Sequence, residues 1–151
     1  IGFEKINLMI KNLAVASDHA GYKLKQYLIE NLKEFNLKDF GTDKEESCDF
    51  PDFASKVCKF VLQDSSFRGL LICGSGVGMS IAANKFKGIR ASNVTNEDMA
   101  IQSVEHNNVN VLCLGTNNVS NVDSLKIVLS FLNSEMSNKE KYHRRINKLE
   151  D

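Results

Sequence analysis

The chain has 151 residues, enough for one domain with a real core and too few for two of ordinary size. Hydrophobic residues make up 42% and charged residues 25%, and nineteen basic side chains balance nineteen acidic ones. No global field therefore draws it to nucleic acid or to an anionic membrane. The four cysteines (Cys48, Cys58, Cys73, Cys113) are scattered without the spacing of a zinc site or a disulfide framework. There is no secretory h-region and no run of eighteen apolar residues, so a cytoplasmic protein without a metal is expected. Asn93-Val94-Thr95 and Asn118-Val119-Ser120 match the glycosylation sequon but are set aside, as no signal peptide accompanies them. Ile1 to Leu8, ahead of Met9, are read as a leader or an expression remnant with no part in the fold.

In chain order, Leu13 to Ser17 is a short apolar run that predicts a buried strand. After Asp18-His19-Ala20-Gly21, the residues Leu24, Tyr27, Leu28, Leu32 and Phe35 recur at helical spacing, with lysines and glutamate on the other face. Leu37 to Phe40 is a second strand, closed by Gly41. The acidic loop Thr42 to Asp49 leads to Pro51, which suits the first turn of a helix carrying Phe53, Ala54, Val57, Phe60 and Val61 on one side. Gly69 to Cys73 is the third strand and Gly76 to Phe86 its helix. Ile89 to Val94 is the fourth, and Asn96 can cap a helix running to about His106. Val109 to Leu114 is the fifth, ended by Gly115. A helix with Val122, Leu125, Val128, Leu129 and Leu132 on one face follows, and the charged segment Ser137 to Asp151 reads as a last helix.

Five apolar strands alternating with helices predict a three-layer α/β/α sandwich around a five-stranded parallel sheet, Rossmann-like in its layering. Near-continuous apolar runs fit strands covered on both faces. In such sheets ligands bind beyond the carboxyl ends of the strands, near a switch in strand order. Asp18 and Cys73 both fall at such ends, and they share a crevice if the first and third strands are neighbours.

Cys73-Gly74-Ser75-Gly76-Val77-Gly78 follows a strand and opens a helix. It is not the dinucleotide fingerprint, because Met79 occupies the last required glycine position, and no Gly-Lys-Ser/Thr makes it a Walker loop. Spacing alone allows a nest of N–H groups for an oxyanion or phosphate, or a tight turn that merely needs glycine. Cys73 reads as a buried strand residue or as an activated thiol. A helix N-terminus lowers a thiol pKa from ~8.5 to roughly 7 or below. Acid–base work and covalent attack both stay open at this point. Asp18-His19 reads as a helix cap with a surface histidine or as ligand groups. His106-Asn107 reads as a helix C-terminus, with asparagine in a left-handed cap, or as functional. The segment from Lys139 to Lys148, with Lys141, His143, Arg144 and Arg145, is a solvated helix face or a phosphate clamp.

Ala16-Ser17-Asp18-His19-Ala20-Gly21, Cys73 to Gly78, Ile81-Ala82-Ala83-Asn84-Lys85, Gly88-Ile89-Arg90-Ala91 and His106-Asn107-x-x-Asn110-Val111-Leu112 stand in one order and spacing. Together they closely resemble the ribose-5-phosphate isomerase B family, which also contains the galactose-6-phosphate isomerase subunits. The likeness runs from about Leu13 to Leu149, within one domain spanning 9–151. The resemblance implies a cofactor-free aldose–ketose isomerase of phosphorylated sugars, acting as a homodimer or a dimer of dimers. By it, Cys73 is the base that moves a proton between C2 and C1 through a cis-enediolate. Ser75 and the amides of Gly74, Ser75, Gly76, Val77 and Gly78 hold the enediolate oxygens. By the same resemblance His106 opens the furanose ring with Asn107 beside it, Asp18 and His19 bind the sugar and its phosphate end, and Arg145 matches a phosphate-binding arginine.

Three positions depart from the family pattern. Lys141 stands where arginine is usual, keeping charge but losing the bidentate fork. Asn117 stands where many members carry a phosphate-contacting arginine, and Ser75 replaces a commoner threonine. The first two bear on the phosphate clamp, and so on sugar length. Neither touches the proton-transfer centre. The expected reaction is ribose 5-phosphate to ribulose 5-phosphate, because His106 is present where the galactose-6-phosphate subunits tend to lack it. A six-carbon aldose phosphate (galactose or allose 6-phosphate) and a non-catalytic phosphosugar-binding module are the alternatives; the latter would need no base.

One geometric expectation follows from the direction in which a parallel βα unit runs. His106 ends the helix that returns the chain to the amino edge of the sheet, whereas Cys73 sits at the carboxyl edge. If both act on one substrate, His106 must come from a neighbouring subunit.

Overall fold

The computed structural model describes residues 10–150. Ile1 to Leu8, set aside above, lie outside the described residues. The elements in order are β1 (Asn12–Ser17), α1 (Tyr22–Asn31), β2 (Asn36–Asp39), α2 (Phe50–Gln63), β3 (Phe67–Cys73), α3 (Val77–Asn84), β4 (Ala91–Asn93), α4 (Glu97–Asn107), β5 (Val111–Gly115), α5 (Asn121–Asn133) and α6 (Glu140–Leu149). All five strands are parallel, in the order β2-β1-β3-β5-β4. The α/β sandwich expected from the apolar runs is the one observed.

Alternation along each strand explains why those runs are continuous. Leu13, Val15, Leu70, Ile72, Leu112 and Leu114 belong to one core, which α1, α4 and α5 cover. Ala14, Ala16, Leu71, Cys73, Val111 and Cys113 belong to the other, beneath α2 and α3. The three central strands β1, β3 and β5 are buried on both sides, so neither set of their alternate residues can be polar, whereas the edge strands β2 and β4 are partly exposed. Cys73 is the last residue of β3 and lies on the α2–α3 side.

The local signals act largely as their chemistry dictates. Pro51 lies in the first turn of α2, where its missing N–H costs nothing. Asn96 Oδ1 accepts the Met99 amide at 2.8 Å, and Ser120 Oγ accepts that of Asp123 at 3.1 Å, capping α4 and α5.

Three expectations need correcting. The left-handed cap of α4 is Asn108 (φ 49°, ψ 46°), one residue beyond Asn107, because the helix runs on until the Asn108 amide reaches the Ser103 and Val104 carbonyls. β4 has only three residues, since Ile89 is held in a turn through its amide on the Phe86 carbonyl and Gly88 takes φ +92°. Not every lysine of α1 faces outward. Lys25 is 0% exposed, and its ammonium lies 2.7 and 2.8 Å from the two carboxylate oxygens of Asp39 at the end of β2. Burial of that charge is tolerated because it is paired in a two-point contact.

Candidate active site

The chain goes from β1 outward to β2 and then back across to β3, so strand order switches between β1 and β3. Ser17 pairs with Ile72, and the Asp18 amide donates to the Ile72 carbonyl at 3.2 Å. Asp18 and Cys73 therefore leave the sheet side by side. A Cβ on Gly21 would collide with the Ile72 carbonyl, so glycine lets the turn after β1 close onto the end of β3.

Asp18 is 7% exposed and accepts the Gly21 amide through Oδ1 at 3.0 Å. His19 is half-buried, and its Nδ1 accepts the Cys48 amide at 3.2 Å. A neutral ring so held carries its proton on Nε2. The segment after β2 closes the other side of this edge. The Ser17 amide donates to Gly41 at 2.7 Å, and the Thr42 amide donates back to Ser17 at 2.8 Å. Asp39 links this segment to the core, accepting the Gly41 amide at 2.9 Å on the oxygen that also meets Lys25. Thr42, Cys48 and Lys25 were not singled out in the sequence. An acidic loop gives no periodic signal, and only the cross-sheet geometry brings it to His19.

Cys73 is 5% exposed, and its Sγ accepts the Gly76 amide at 3.2 Å. Gly76 has φ +80°, a conformation that favours glycine, and immediately precedes α3. Ser75 Oγ accepts the Val77 amide at 3.2 Å. Two of the amides proposed for an oxyanion nest are thus engaged inside the turn, one by the thiol and one by the hydroxyl. Gly78 has a packing reason as well, since a Cβ there would come 2.9 Å from the Phe50 ring. The carbonyl side of the turn is tied to β5. The Thr116 amide donates to Cys73 and the Asn117 amide to Gly74, both at 2.9 Å. Asn117 also brings its side-chain nitrogen over Gly74, at the rim of the crevice.

Two further thiols, Cys58 and Cys113, lie fully buried in the core. Burial pushes Cys58 up to about 12. Burial, then the neighbouring Cys58 and Cys73, pushes Cys113 well above the thiol range. Both are neutral at physiological pH, and neither is placed to react. Among the described residues no three His, Cys, Asp or Glu side chains gather as a metal site would require, and no helix is long and apolar enough to cross a membrane.

A second cluster lies at the opposite edge. His106, in the last turn of α4, stacks on Tyr142 of α6, with ring centroids 4.3 Å apart and planes at 11°. The Ser137 amide on the Glu105 carbonyl (3.0 Å) and His143 Nε2 on the Ser137 carbonyl (2.8 Å) hold α6 against α4. The Lys141 ammonium and the Arg145 guanidinium lie 5.1 and 6.0 Å from the Tyr142 ring. His106 opens onto a groove of about 580 Å³ lined by Met136, Ser137, Lys139 and Tyr142 among others. Asn107 lines a different hollow, of about 430 Å³, with Arg90, Ser92 and Glu150. Tyr142 was missed in the sequence, although Tyr142, Ile146 and Leu149 form the apolar stripe of an otherwise charged helix.

The two clusters do not meet within one chain. α4 ends beside the start of β5, where Val111 pairs with Gly69, four residues before Cys73 on β3. At ~3.3 Å per residue that separation is roughly 13 Å along the sheet alone. Asp18, His19, Cys73, Ser75 and the glycine amides form one group, and His106, Lys141 and Arg145 form the other.

Known proteins share much of this sequence and its fold. A family model described as Ribose/Galactose Isomerase matches residues 13–149. A probable ribose-5-phosphate isomerase B from Mycoplasma genitalium is 41% identical over 142 residues, covering 91% of this chain and 93% of that protein. The solved ribose 5-phosphate isomerase from Thermotoga maritima superposes with a TM-score of 0.89 at 40% identity, covering 92% of this chain and 97% of that one. The Mycoplasma genitalium ribose-5-phosphate isomerase B structure with bound ribulose-5-phosphate gives 0.86 at 40% identity, covering 92% and 93%. A match over nearly the whole chain, in sequence and in fold, means that the chain belongs to the ribose/galactose isomerase family, and within it stands with the ribose-5-phosphate isomerases B.

Proposed function

We propose that this chain interconverts ribose 5-phosphate and ribulose 5-phosphate, with Cys73 as the base. The observation that carries the reading is the Cys73 thiol at the switch point, held against the Gly76 amide, with the buried Asp18 at the end of the neighbouring strand. The Cys73 thiolate takes the C2 proton of the open-chain aldose, the C2–H electrons form the C1=C2 bond, and the carbonyl oxygen becomes an enediolate oxygen. Return of that proton to C1, with transfer of the hydroxyl proton from O2 to O1, completes the ketose. Donors already fixed in the turn stabilise the developing charge without reorganising. Ser75 and the turn amides other than those of Gly76 and Val77 serve the enediolate, and Asp18 and His19 hold the sugar.

In this reading His106, Asn107, Lys141 and Arg145 serve the Cys73 of a second copy of the chain. His106 opens the furanose ring by acid–base catalysis, and Lys141 and Arg145 hold the phosphate. The separation of the two clusters supports a shared site. So does the apolar pair Val77 and Ile81 (52% and 58% exposed) on α3, at i and i+4 next to the turn. Mixing Cys73→Ala chains with His106→Ala chains tests this directly. Each heterodimer then carries one intact site, and activity returns on mixing. Heterodimers that form and stay inactive refute the shared site.

Lys141 and Asn117, where the family pattern has arginines, bear on the phosphate clamp and so on sugar length, and the second reading is a six-carbon aldose phosphate. A coupled assay with ribose 5-phosphate, then with galactose and allose 6-phosphates, separates the two by kcat/KM.

A further inference from the structure

Asn93 and Asn118 were noticed in the sequence only as sequon asparagines. In the structure both side chains serve one peptide unit. Asn93 Nδ2, from the end of β4, and Asn118 Nδ2, from the turn after β5, each donate to the Ser75 carbonyl at 3.1 Å. The N–H of that same peptide unit, on Gly76, donates to Cys73 Sγ at 3.2 Å. A trans peptide is planar, with its C=O and N–H pointing in opposite directions. Fixing the carbonyl from one side therefore aims the N–H at the thiol on the other.

Three further observations agree. The carbonyls of Cys73, Gly74 and Ser75 receive donors from Thr116, Asn117 and Asn118 in succession, the first two through backbone amides and the third through a side chain. Asn118 thus extends the β5 contact by one residue, to the peptide that the backbone ladder leaves out. Asn93 Oδ1 is buried with no hydrogen-bond partner among the described residues, so the nitrogen provides the polar tie of this side chain. The Asn93 amide also packs under Gly76, where a Cβ would collide with it. Gly76 is thus held by its φ of +80° and by this close approach together.

We infer that Asn93 and Asn118 are positioning residues for Cys73: they orient and polarise the Ser75–Gly76 peptide, whose N–H stabilises the thiolate. A carbonyl that accepts two hydrogen bonds makes its own N–H a stronger donor. The inference rests on Cys73 being the reactive base, but its test does not depend on turnover.

The test is the rate of Cys73 carbamidomethylation by iodoacetamide at one neutral pH, resolved from Cys48 by peptide mapping. Wild type is compared with Asn118→Leu, Asn93→Leu and the double variant, alongside kcat and KM for ribose 5-phosphate. The single variants are expected to slow Cys73 modification about fivefold each, the worth of one modest hydrogen bond, and the double variant more. The loss should appear in kcat rather than KM, with Cys48 modification unchanged and, in Asn118→Leu, the melting temperature unchanged. Asn118 lies in an exposed turn, so its variant folds and reads the effect even if the Asn93 variant does not. A Cys73 rate within twofold of wild type in folded Asn118→Leu overturns the inference. So does an equal change at Cys48, Cys58 and Cys113, which would mean a general loosening. If Cys73→Ala instead proves fully active, the proposed base is wrong, and the modification rates still decide the role of the asparagines.

Discussion

The two edges of the sheet carry the two halves of the proposed site, and they are built differently. At the carboxyl edge the reactive groups are nearly buried and held mostly by backbone: Cys73 by the Gly76 amide, Asp18 by the Gly21 amide, and the turn between by β5. At the amino edge the groups are half-buried or exposed and held by side-chain contacts, with His106 stacked on Tyr142 and the basic residues of α6 around that ring. The first edge is preorganised within one chain. The second presents its charges outward, and in the proposed shared site it gains its task from the subunit that covers it. Proton transfer at carbon needs donors fixed before charge develops, whereas ring opening and phosphate capture tolerate groups that close in from outside.

The largest effect that would test this contrast is Cys73→Ala. C2 proton exchange with solvent should fall by about 10³-fold with phosphosugar binding nearly intact, as read by deuterium incorporation; a fully active variant would sink the mechanism. His106→Ala should cost about 10²-fold in turnover of the ring-closed sugar. It should leave the iodoacetamide rate at Cys73 unchanged, because it breaks the amino edge alone. A lowered Cys73 rate would show that the two edges are coupled, and the same measurement on mixed chains tells coupling within one chain from coupling across the proposed subunit contact.

Asp39→Ala leaves the Lys25 ammonium buried without its carboxylate and frees the Gly41 amide. Asp39 is itself partly exposed, so a loss of about 2–3 kcal/mol is expected, below the figure for a fully buried pair. Urea unfolding measures it, and no change would mean that solvent reaches Lys25. The buried thiols give a pH signature. Cys58 moves from 9.0 to about 12, so the unfolded chain releases a proton that the folded chain keeps. Stability is full below about pH 9 and declines toward pH 12. Melting temperatures across that range should fall less steeply in Cys58→Ala once its lower starting stability is subtracted. The smallest effect is expected at Lys141→Arg. A guanidinium fork should lower KM for the phosphosugar about threefold without changing kcat, and an unchanged KM would remove Lys141 from the phosphate clamp.

Legibility differed between the edges for a physical reason. The carboxyl edge is encoded locally: an apolar run, Cys73 and three alternating glycines stand together in sequence, and a strand–turn–helix reading places the thiol at the helix start. The amino edge is spread over α4 and α6, so Tyr142 was visible only as an apolar position on a charged helix. Contacts between distant segments were not legible at all. Nothing periodic links Cys48 to His19 or Lys25 to Asp39, and the asparagines bound to the Ser75 carbonyl read as sequons. The left-handed cap fell on Asn108 rather than Asn107, because helix ends are set by which carbonyls the last amides reach.

The sequence by itself determined the five strands, the faces of most helices, the glycine turn after Cys73 and the opposition of Cys73 and His106. Each of these follows from local periodicity or from the direction in which a parallel βα unit must run. Only the tertiary structure decided the strand order at the β5–β4 edge, the burial of Lys25 against Asp39, and the closing of the 41–48 segment over Asp18 and His19. It alone showed that two asparagines, 25 residues apart in the chain, hold the one peptide that faces the thiol. Hydrogen bonds between segments depend on register and approach in three dimensions, and residue spacing along a single chain carries no trace of either.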